Sequence, residues 1–303
     1  MHVLITGATG FIGQHLCRAL GQDGHTLTAL SRNPGAALRR VPGLSQALVW
    51  DPLGVPPDLK DLSPIDAVVH LAGESIAGRW TPAKKRAIRE SRVLGTRTLV
   101  TALESLSPRP RVLLSASATG YYGDGGEVPL TEESPPGKDF LAQVCVVWEE
   151  EARRAEALGI RVVCLRAGIV FGPGGGALTP LLVLARLGLG GPLGSGRQWW
   201  SWVHMDDLVG LVRFLLTSDL HGPVNAVSPN PIRQRELAKA LGRVLRRPAL
   251  LPTPGWALRL LVGEVAQELL FSRRVLPKRA QEAGYRFRVA TVEDALHTIL
   301  ARG

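Results

Sequence analysis

Residues 1–13 read MHVLITGATGFIG. A short apolar run, Val3–Thr6, leads into three glycines, Gly7, Gly10 and Gly13. The apolar pair Phe11-Ile12 lies between them, at the start of a helical pattern expected over Phe11–Asp23. A turn of this kind between a first strand and a first helix lets backbone approach a pyrophosphate. Glycine has no Cβ to obstruct the approach, and the helix N-terminus offers unpaired N–H groups at the positive end of its dipole. Thr9 adds a hydroxyl. The spacing is GxxGxxG, not GxGxxG, so the weight of the motif comes from its place between strand and helix. The expectation is a dinucleotide site on Gly7, Thr9, Gly10, Phe11, Ile12 and Gly13. The competing reading is a glycine-rich turn that binds nothing.

Outward from this segment, strand and helix signals alternate. Short runs rich in Val, Leu and Ile predict strands at Val3–Thr6, Thr26–Ser31, Ala47–Trp50, Ala67–Leu71, Arg111–Ser115 and Arg161–Arg166. Helices are expected between them at Phe11–Asp23, Pro82–Leu106 and Phe140–Leu158. Apolar strands flanked by helices read as buried parallel strands, so the fold class is α/β: a doubly wound parallel sheet of Rossmann type. After Val170 the pattern changes to glycine- and proline-punctuated turns. Helices follow near Pro180–Leu187, Met205–Thr217, Arg233–Arg246, Trp256–Phe271 and Thr291–Ala301, with a strand at Val224–Val227 and the proline-rich stretch 247–255. The division expected is a nucleotide-binding domain over 1–170 and a smaller C-terminal α+β lobe over 171–303 that covers the sheet and takes the substrate.

The cofactor is read from the end of the second strand. A carboxylate there would bond a ribose 2′-hydroxyl, whereas a cation suits a 2′-phosphate. The chain has TALSRNPG, with Ser31 and Arg32 where the acid would stand, and Arg binds phosphate in a two-pronged fashion. NADP(H) is therefore favoured over NAD(H). Asp51, in LVWDP after the third strand, is placed to meet the adenine amino group, although an acid before proline also starts turns. Leu71, Ala72 and Gly73, in VVHLAG, let the cofactor pass close to backbone.

Composition excludes several other functions. Of 303 residues, 45% are hydrophobic, enough for a packed core. The net charge of +10 is dispersed, with no dense basic run or interleaved aromatic platform, which favours a small anionic ligand over nucleic acid. Cys17, Cys145 and Cys164 lie far apart without a CxxC, and the seven histidines are scattered, so no disulfide framework and no metal are expected. The apolar region 178–189 is broken by Pro180 and Arg186, so no membrane span is expected. With no export leader to be read at the start, the expected location is the cytoplasm.

The motifs TGATGFIG, HLAG, GYYGDGG with LTEESPP, LRAGIVFGPGGG and WVHMDDLVGLV resemble the extended short-chain dehydrogenase/reductase superfamily, of the NAD-dependent epimerase/dehydratase type. LAGESIAGRW, GLGGPLGSGRQWWSWVH and AQELLFSRRVLPKRAQEAGYRF narrow the resemblance to its atypical "epimerase family protein" branch. That branch is also labelled nucleoside-diphosphate-sugar epimerase and sometimes cell-division inhibitor, a label without residue-level support here. The similarity runs over essentially the whole chain. It implies a small-molecule or nucleotide-linked substrate, and a homodimer through the long helices.

The superfamily's proton chemistry rests on a Tyr-x-x-x-Lys pair. Registering Glu149 on the acid that follows this motif puts Leu141 at the Tyr position and Cys145 at the Lys position. Neither can do that work. Arg92 stands where the superfamily has an asparagine. It either replaces the missing cation, by contacting cofactor phosphate or ribose, or pairs within its own helix. In LLSASATGYYG the catalytic hydroxyl falls on Ser117 or Thr119, and Tyr121 could supply the lost phenol. The resemblance places Gly168, Ile169 and Val170 beside the nicotinamide. Tyr122, Arg197, Trp199, Trp200 and His204 are candidates for the substrate pocket, with core or dimer packing as the alternative for the aromatic ones. Asp206 and Asp207 are expected to cap the following helix. Two functions remain open: an NADP(H)-dependent reductase or epimerase with an atypical site, and a non-catalytic NADP(H) sensor.

Overall fold

A computed structural model describes residues 1–62, 64–249 and 251–301. Leu250 of the proline-rich stretch and the last two residues of the expected lobe lie outside that set. The first half runs β1 (His2–Thr6), α1 (Phe11–Gln22), β2 (Thr26–Ser31), α2 (Pro34–Arg40), β3 (Gln46–Val49), β4 (Ala67–His70), α3 (Pro82–Glu104) and β5 (Val112–Ala118). A 3-10 turn, Thr119–Tyr122, and β6 (Pro129–Leu130) lead to α4 (Phe140–Arg153), β7 (Arg161–Ala167) and β8 (Ile169–Phe171). The remainder is α5 (Leu178–Arg186), β9 (Trp199–Trp200), β10 (Trp202–His204), α6 (Met205–Thr217), β11 (Gly222–Ala226), β12 (Ile232–Arg233), α7 (Gln234–Leu245), α8 (Gly255–Val262), α9 (Ala266–Leu270), β13 (Arg274–Val275), α10 (Lys278–Glu282) and α11 (Val292–Ala301).

Seven of these strands form one parallel sheet in the order β3-β2-β1-β4-β5-β7-β11, the doubly wound architecture expected. Burial on both faces explains why its strands read as continuous apolar runs. Val3 and Ile5 of β1 pack with Leu16, Cys17 and Leu20 of α1 and with Leu208 and Leu211 of α6. Leu4, between them, faces Leu99, Val100 and Leu103 of α3. Each such fully buried aliphatic side chain contributes about 1.5–3 kcal/mol. The chain reverses its direction of winding between β1 and β4, so a crevice opens at their carboxyl ends, the topological switch point of such sheets.

The C-terminal region has its own core, in which Phe171 stacks on Trp202 at 5.6 Å and Trp200, Leu237, Leu241, Leu258 and Leu296 gather round. Two expectations need correction. The single helix expected over Trp256–Phe271 is two helices, because Gly263 has φ +70° and its position faces Arg79, so the chain turns there. Asp206 and Asp207 sit in the first turn of α6, but the cap is His204, whose Nδ1 accepts from the Asp206 N–H at 3.2 Å. Asp207 instead accepts from the N–H groups of Arg288 and Val289, tying the C-terminal tail to the sheet's flank.

Candidate functional site

The crevice at the carboxyl ends of β1 to β4 has a volume of about 290 Å³. Its walls are the turn Gly7–Gly10, the end of β2 with Ser31 and Arg32, the segment Trp50–Leu53, and Leu71–Glu74 after β4. A shallow hollow of about 370 Å³ lies at the opposite ends of the strands, among His2, Thr26, Thr28, Ser45, Gln46 and Asp61. Doubly wound sheets bind ligands at the carboxyl ends of their strands, so the glycine turn marks the relevant site.

The turn is built for close approach. Gly7 has φ +71°, and a Cβ there would lie 2.7 Å from the Leu71 carbonyl carbon. At Gly13 a Cβ would lie 2.2 Å from the Gly7 oxygen, so the first turn of α1 packs directly on the loop. No side chain caps α1, so its first N–H groups have no acceptor from a capping residue. Behind the turn, Thr6 Oγ1 accepts from the N–H groups of Leu71 and Ala72, at 3.2 and 3.1 Å, and bonds His70 Nδ1 at 2.7 Å. His70 Nε2 reaches Thr96 Oγ1 at 2.9 Å. Burial, aided by the nearby Arg92 charge, lowers the His70 pKa to about 4, so at neutral pH it is an uncharged strut.

Of the residues expected to bind cofactor, Gly7, Thr9, Gly10, Ser31, Arg32, Asp51, Leu71, Ala72 and Gly73 share this crevice. Phe11, Ile12 and Gly13 do not line it. The Phe11 ring is wrapped by the glycine-rich turn after β8, where a Cβ on Gly172, Gly175 or Gly176 would come within 3.2 Å of it. Gly168 packs on the Ser201 carbonyl, and Ile169 and Val170 start β8 beyond it. Ala8, Leu30, Trp50, Pro52, Leu53, Glu74, Ala87 and Ser91 also line the crevice. Sequence reading passed over them: the small and apolar ones after strands carry no distinctive signal, and Ala87 and Ser91 reach the crevice from α3 only once the chain is folded.

Arg92, also expected at the cofactor, does not line the crevice but lies behind its Gly73 wall. Its guanidinium abuts Gly73 and sits 5.1 Å from the centre of the Trp148 ring. Its Nη1 donates to the carbonyls of Glu74, at 2.9 Å, and Ile88, at 3.1 Å. No carboxylate of its own helix pairs with it among these contacts. Burial lowers its pKa, while the neighbouring Cys145 and Glu74 act to raise it. Cys145 is thus close to the Arg92 cation. Leu141 and Cys145 face the end of β5: a Cβ on Gly120 would touch the Leu141 side chain, and the Cys145 thiol lies 4.0 Å from the Ala118 carbonyl.

The hydroxyls of the β5 segment divide. Ser117 donates to Glu149 Oε1 at 2.6 Å, inside the protein. Thr119 is buried at the start of the 3-10 turn. Tyr122 donates to Asn225 Oδ1 at 2.6 Å and accepts from Arg166 Nη1 at 3.0 Å, and burial pushes its pKa up to about 12. Tyr121, half-buried, lays its ring over the Arg166 guanidinium at 3.4 Å. Arg166 is itself buried in a two-pronged pair with Glu149, 2.8 Å at each contact. Sequence reading used Glu149 only to set the register and did not find this pair.

Among the pocket candidates, Trp200 is built into the C-terminal core and His204 is buried as the cap of α6. Trp200 Nε1 donates to the Leu269 carbonyl. Arg197 is exposed, with its carbonyl bonded by Arg233. Trp199 is half-buried; its ring lies between Arg233, at 4.0 Å, and Arg274, at 5.1 Å, and its Nε1 donates to Glu127.

The three cysteines are buried, and burial pushes the thiols of Cys17 and Cys145 up to about 12 and that of Cys164 up as well. They are thiols, not thiolates, at neutral pH. Iodoacetamide should therefore label the folded protein at all three sites far more slowly than the urea-unfolded chain. Rapid labelling of Cys145 in the native state, read by mass spectrometry, would contradict this placement. Among the described residues no group of His, Cys, Asp and Glu is arranged to hold a metal, and no helix is long and apolar enough to cross a membrane.

The family model "NAD dependent epimerase/dehydratase family" matches residues 3–227. The chain belongs to this family. A second model, "Domain of unknown function (DUF1731)", matches residues 253–299. The chain is 41% identical to the chloroplastic "Epimerase family protein SDR39U1 homolog" of Arabidopsis thaliana, over 99% of this chain and 87% of that one. Among solved structures it is similar to human epimerase family protein SDR39U1 with NADPH, at a TM-score of 0.89 and 34% identity over 99% of both chains. It is also similar to a nucleoside-diphosphate sugar epimerase from Corynebacterium glutamicum, at 0.78 and 34%, over 100% of this chain and 58% of that one. The smaller C-terminal region and the Rossmann-type sheet match the expected fold class.

Proposed function

We propose that the crevice holds NADP(H), and that the protein is a cytoplasmic reductase or epimerase of a small or nucleotide-linked substrate, working without the Tyr-x-x-x-Lys pair. The observation that carries this reading is Arg32, exposed beside Ser31 at the far end of the crevice, where β2 ends without a carboxylate. The residues fit such a cofactor. Gly7–Gly10 and the uncapped start of α1 would take the pyrophosphate, Asp51 the adenine, and Arg32 the 2′-phosphate. Gly168, Ile169 and Val170 would border the nicotinamide, with Arg92 as the cation that the lost lysine supplied. A bound nicotinamide would bring hydride chemistry to the mouth of the crevice, under the lobe 171–303. The NADPH in the human relative supports this assignment.

With Ser117 engaged by Glu149 and Thr119 buried, Tyr121 is the hydroxyl best placed to carry a proton. The apolar Leu141 and the buried thiol of Cys145 favour a second reading, a sensor that binds NADP(H) without turnover. One experiment separates the two. Ligand-stripped protein is titrated with NADPH by calorimetry and then mixed with a panel of carbonyl compounds. Heat of binding with substrate-dependent NADPH oxidation is the expected result. Tight binding with no oxidation would establish the sensor, and no heat and no thermal shift would overturn both.

A further inference from the structure

Two stretches of the chain carry no acid: no residue from 157 to 205, and none from 237 to 263, is Asp or Glu. Their cations are spread along the sequence, but the fold lays parts of the two stretches side by side on the C-terminal region. The Thr253 N–H donates to the Pro192 carbonyl, and the Gly194 N–H to the Thr253 carbonyl, each at 2.8 Å. Leu193 and Thr253 form a parallel bridge there. Gly191 lies so close to the Leu251 backbone that a Cβ would not fit, and Gly188 faces the Pro248 ring. The end of α5 with its following loop and the approach to α8 thus form one surface.

That surface is apolar and protrudes. Leu258 of α8 turns inward to the C-terminal core, which leaves Trp256, Leu260 and Leu261 outside, 71%, 69% and 70% exposed. Leu187, Leu189 and Leu251 are exposed on the adjoining segments. Single apolar side chains on a surface are ordinary, but so many large ones on neighbouring segments mark a contact site. Neither the crevice nor the hollow at the other end of the sheet includes any of them.

Charge selects the occupant of this face. Arg186, Arg246, Arg247 and Arg259 are exposed in the same stretches and enter no ion pair among the described residues. A second copy of the face would set these arginines against their own kind, and like charges across an interface cost affinity. A folded acidic partner would answer the charge but would need ready-made cavities for the protruding side chains. An anionic bilayer meets both demands. Its phosphates take the guanidinium groups, its acyl boundary yields to Leu, and an indole suits the level of the headgroups. No described helix is long and apolar enough to cross a membrane, so the contact is peripheral.

We propose that α8 and the loop after α5 dock the protein on an anionic membrane surface, with Trp256, Leu260 and Leu261 entering the headgroup region and Arg246, Arg247 and Arg259 contacting lipid phosphate. This docking does not depend on the cofactor reading.

The test is flotation of the full chain with vesicles of phosphatidylcholine alone and of phosphatidylcholine mixed with phosphatidylglycerol. Wild type should float with the mixed vesicles, only weakly with the neutral ones, and be released as salt rises. The double variant Arg246→Gln with Arg247→Gln, and the double variant Trp256→Ser with Leu261→Ser, should each bind mixed vesicles at least about tenfold more weakly. Arg39→Gln with Arg40→Gln removes the same charge from the end of α2 and should bind like wild type. All the altered side chains are exposed, so the unfolding midpoints should match wild type. No flotation of wild type, equal binding to neutral and mixed vesicles, or an equal loss in the Arg39 and Arg40 variant would overturn the docking surface. So would wild type that ignores vesicles but self-associates in sedimentation velocity until Trp256 and Leu261 are replaced, a result that would assign the face to a second copy.

Discussion

Replacing Arg32 by alanine should weaken NADPH binding about ten- to a hundredfold while moving NADH by less than about twofold. A charge-assisted hydrogen bond to phosphate contributes about 1.5–3 kcal/mol, and 1.4 kcal/mol is a factor of ten. NADH has only a hydroxyl at that place, so the same deletion removes little from it. Arg32 is exposed and lies outside the buried clusters, so the unfolding midpoint should not follow the affinity down. The preference should also shrink as salt rises, because an exposed phosphate–guanidinium contact is screened over about 8–10 Å near physiological ionic strength. Fluorescence titrations of the two cofactors into wild type and variant decide the matter. Equal affinities in the unmodified protein would remove Arg32 as the discriminating residue, whatever the variant does.

Much of the crevice was legible because its parts carry local constraints. Gly7 must adopt φ +71° against Leu71, and such a glycine after an apolar run is visible in the sequence. Arg32 stands at a position fixed by the end of β2, so the strand boundary alone locates it. What escaped depends on long-range pairing. Glu149 on α4 and Arg166 on β7 meet only once the sheet is assembled, and nothing in either local pattern announces a buried pair. The stretch 256–271 looks like one apolar helix, and only the turn at Gly263 divides it into α8 and α9. Trp200 and His204 were drawn toward the substrate by their chemistry, yet their side chains are used in the C-terminal core and a helix cap. Aromatic and histidine side chains look alike in sequence whether they face a ligand or a core.

The Glu149–Arg166 pair should dominate the stability of the sheet's substrate side. Both side chains are at most 5% exposed, and Glu149 holds three hydrogen bonds, two from Arg166 and one from Ser117. Burial works against the Arg166 charge, but the bonds and attraction of Glu149 outweigh it and hold the pKa above the ordinary guanidinium value. Glu149→Leu therefore leaves a buried cation with no counter-charge, which costs about 3–5 kcal/mol. Arg166→Met leaves the reverse, a buried carboxylate with Ser117 as its remaining partner, and should cost a similar amount. The double variant replaces both charges by apolar groups of comparable length and should recover most of the loss, since a buried pair is often matched by well-packed hydrophobic side chains. Urea unfolding of the four proteins gives the coupling directly, expected to exceed about 2 kcal/mol. Additive single effects would mean the charges are not mutually dependent. The double variant also isolates a role for the guanidinium under Tyr121, which no longer has the cation 3.4 Å beneath its ring. If Tyr121 carries the proton, a folded double variant should keep its NADPH affinity and lose turnover, because the crevice at Gly7–Gly10 does not include Arg166 whereas the phenol stacks on it.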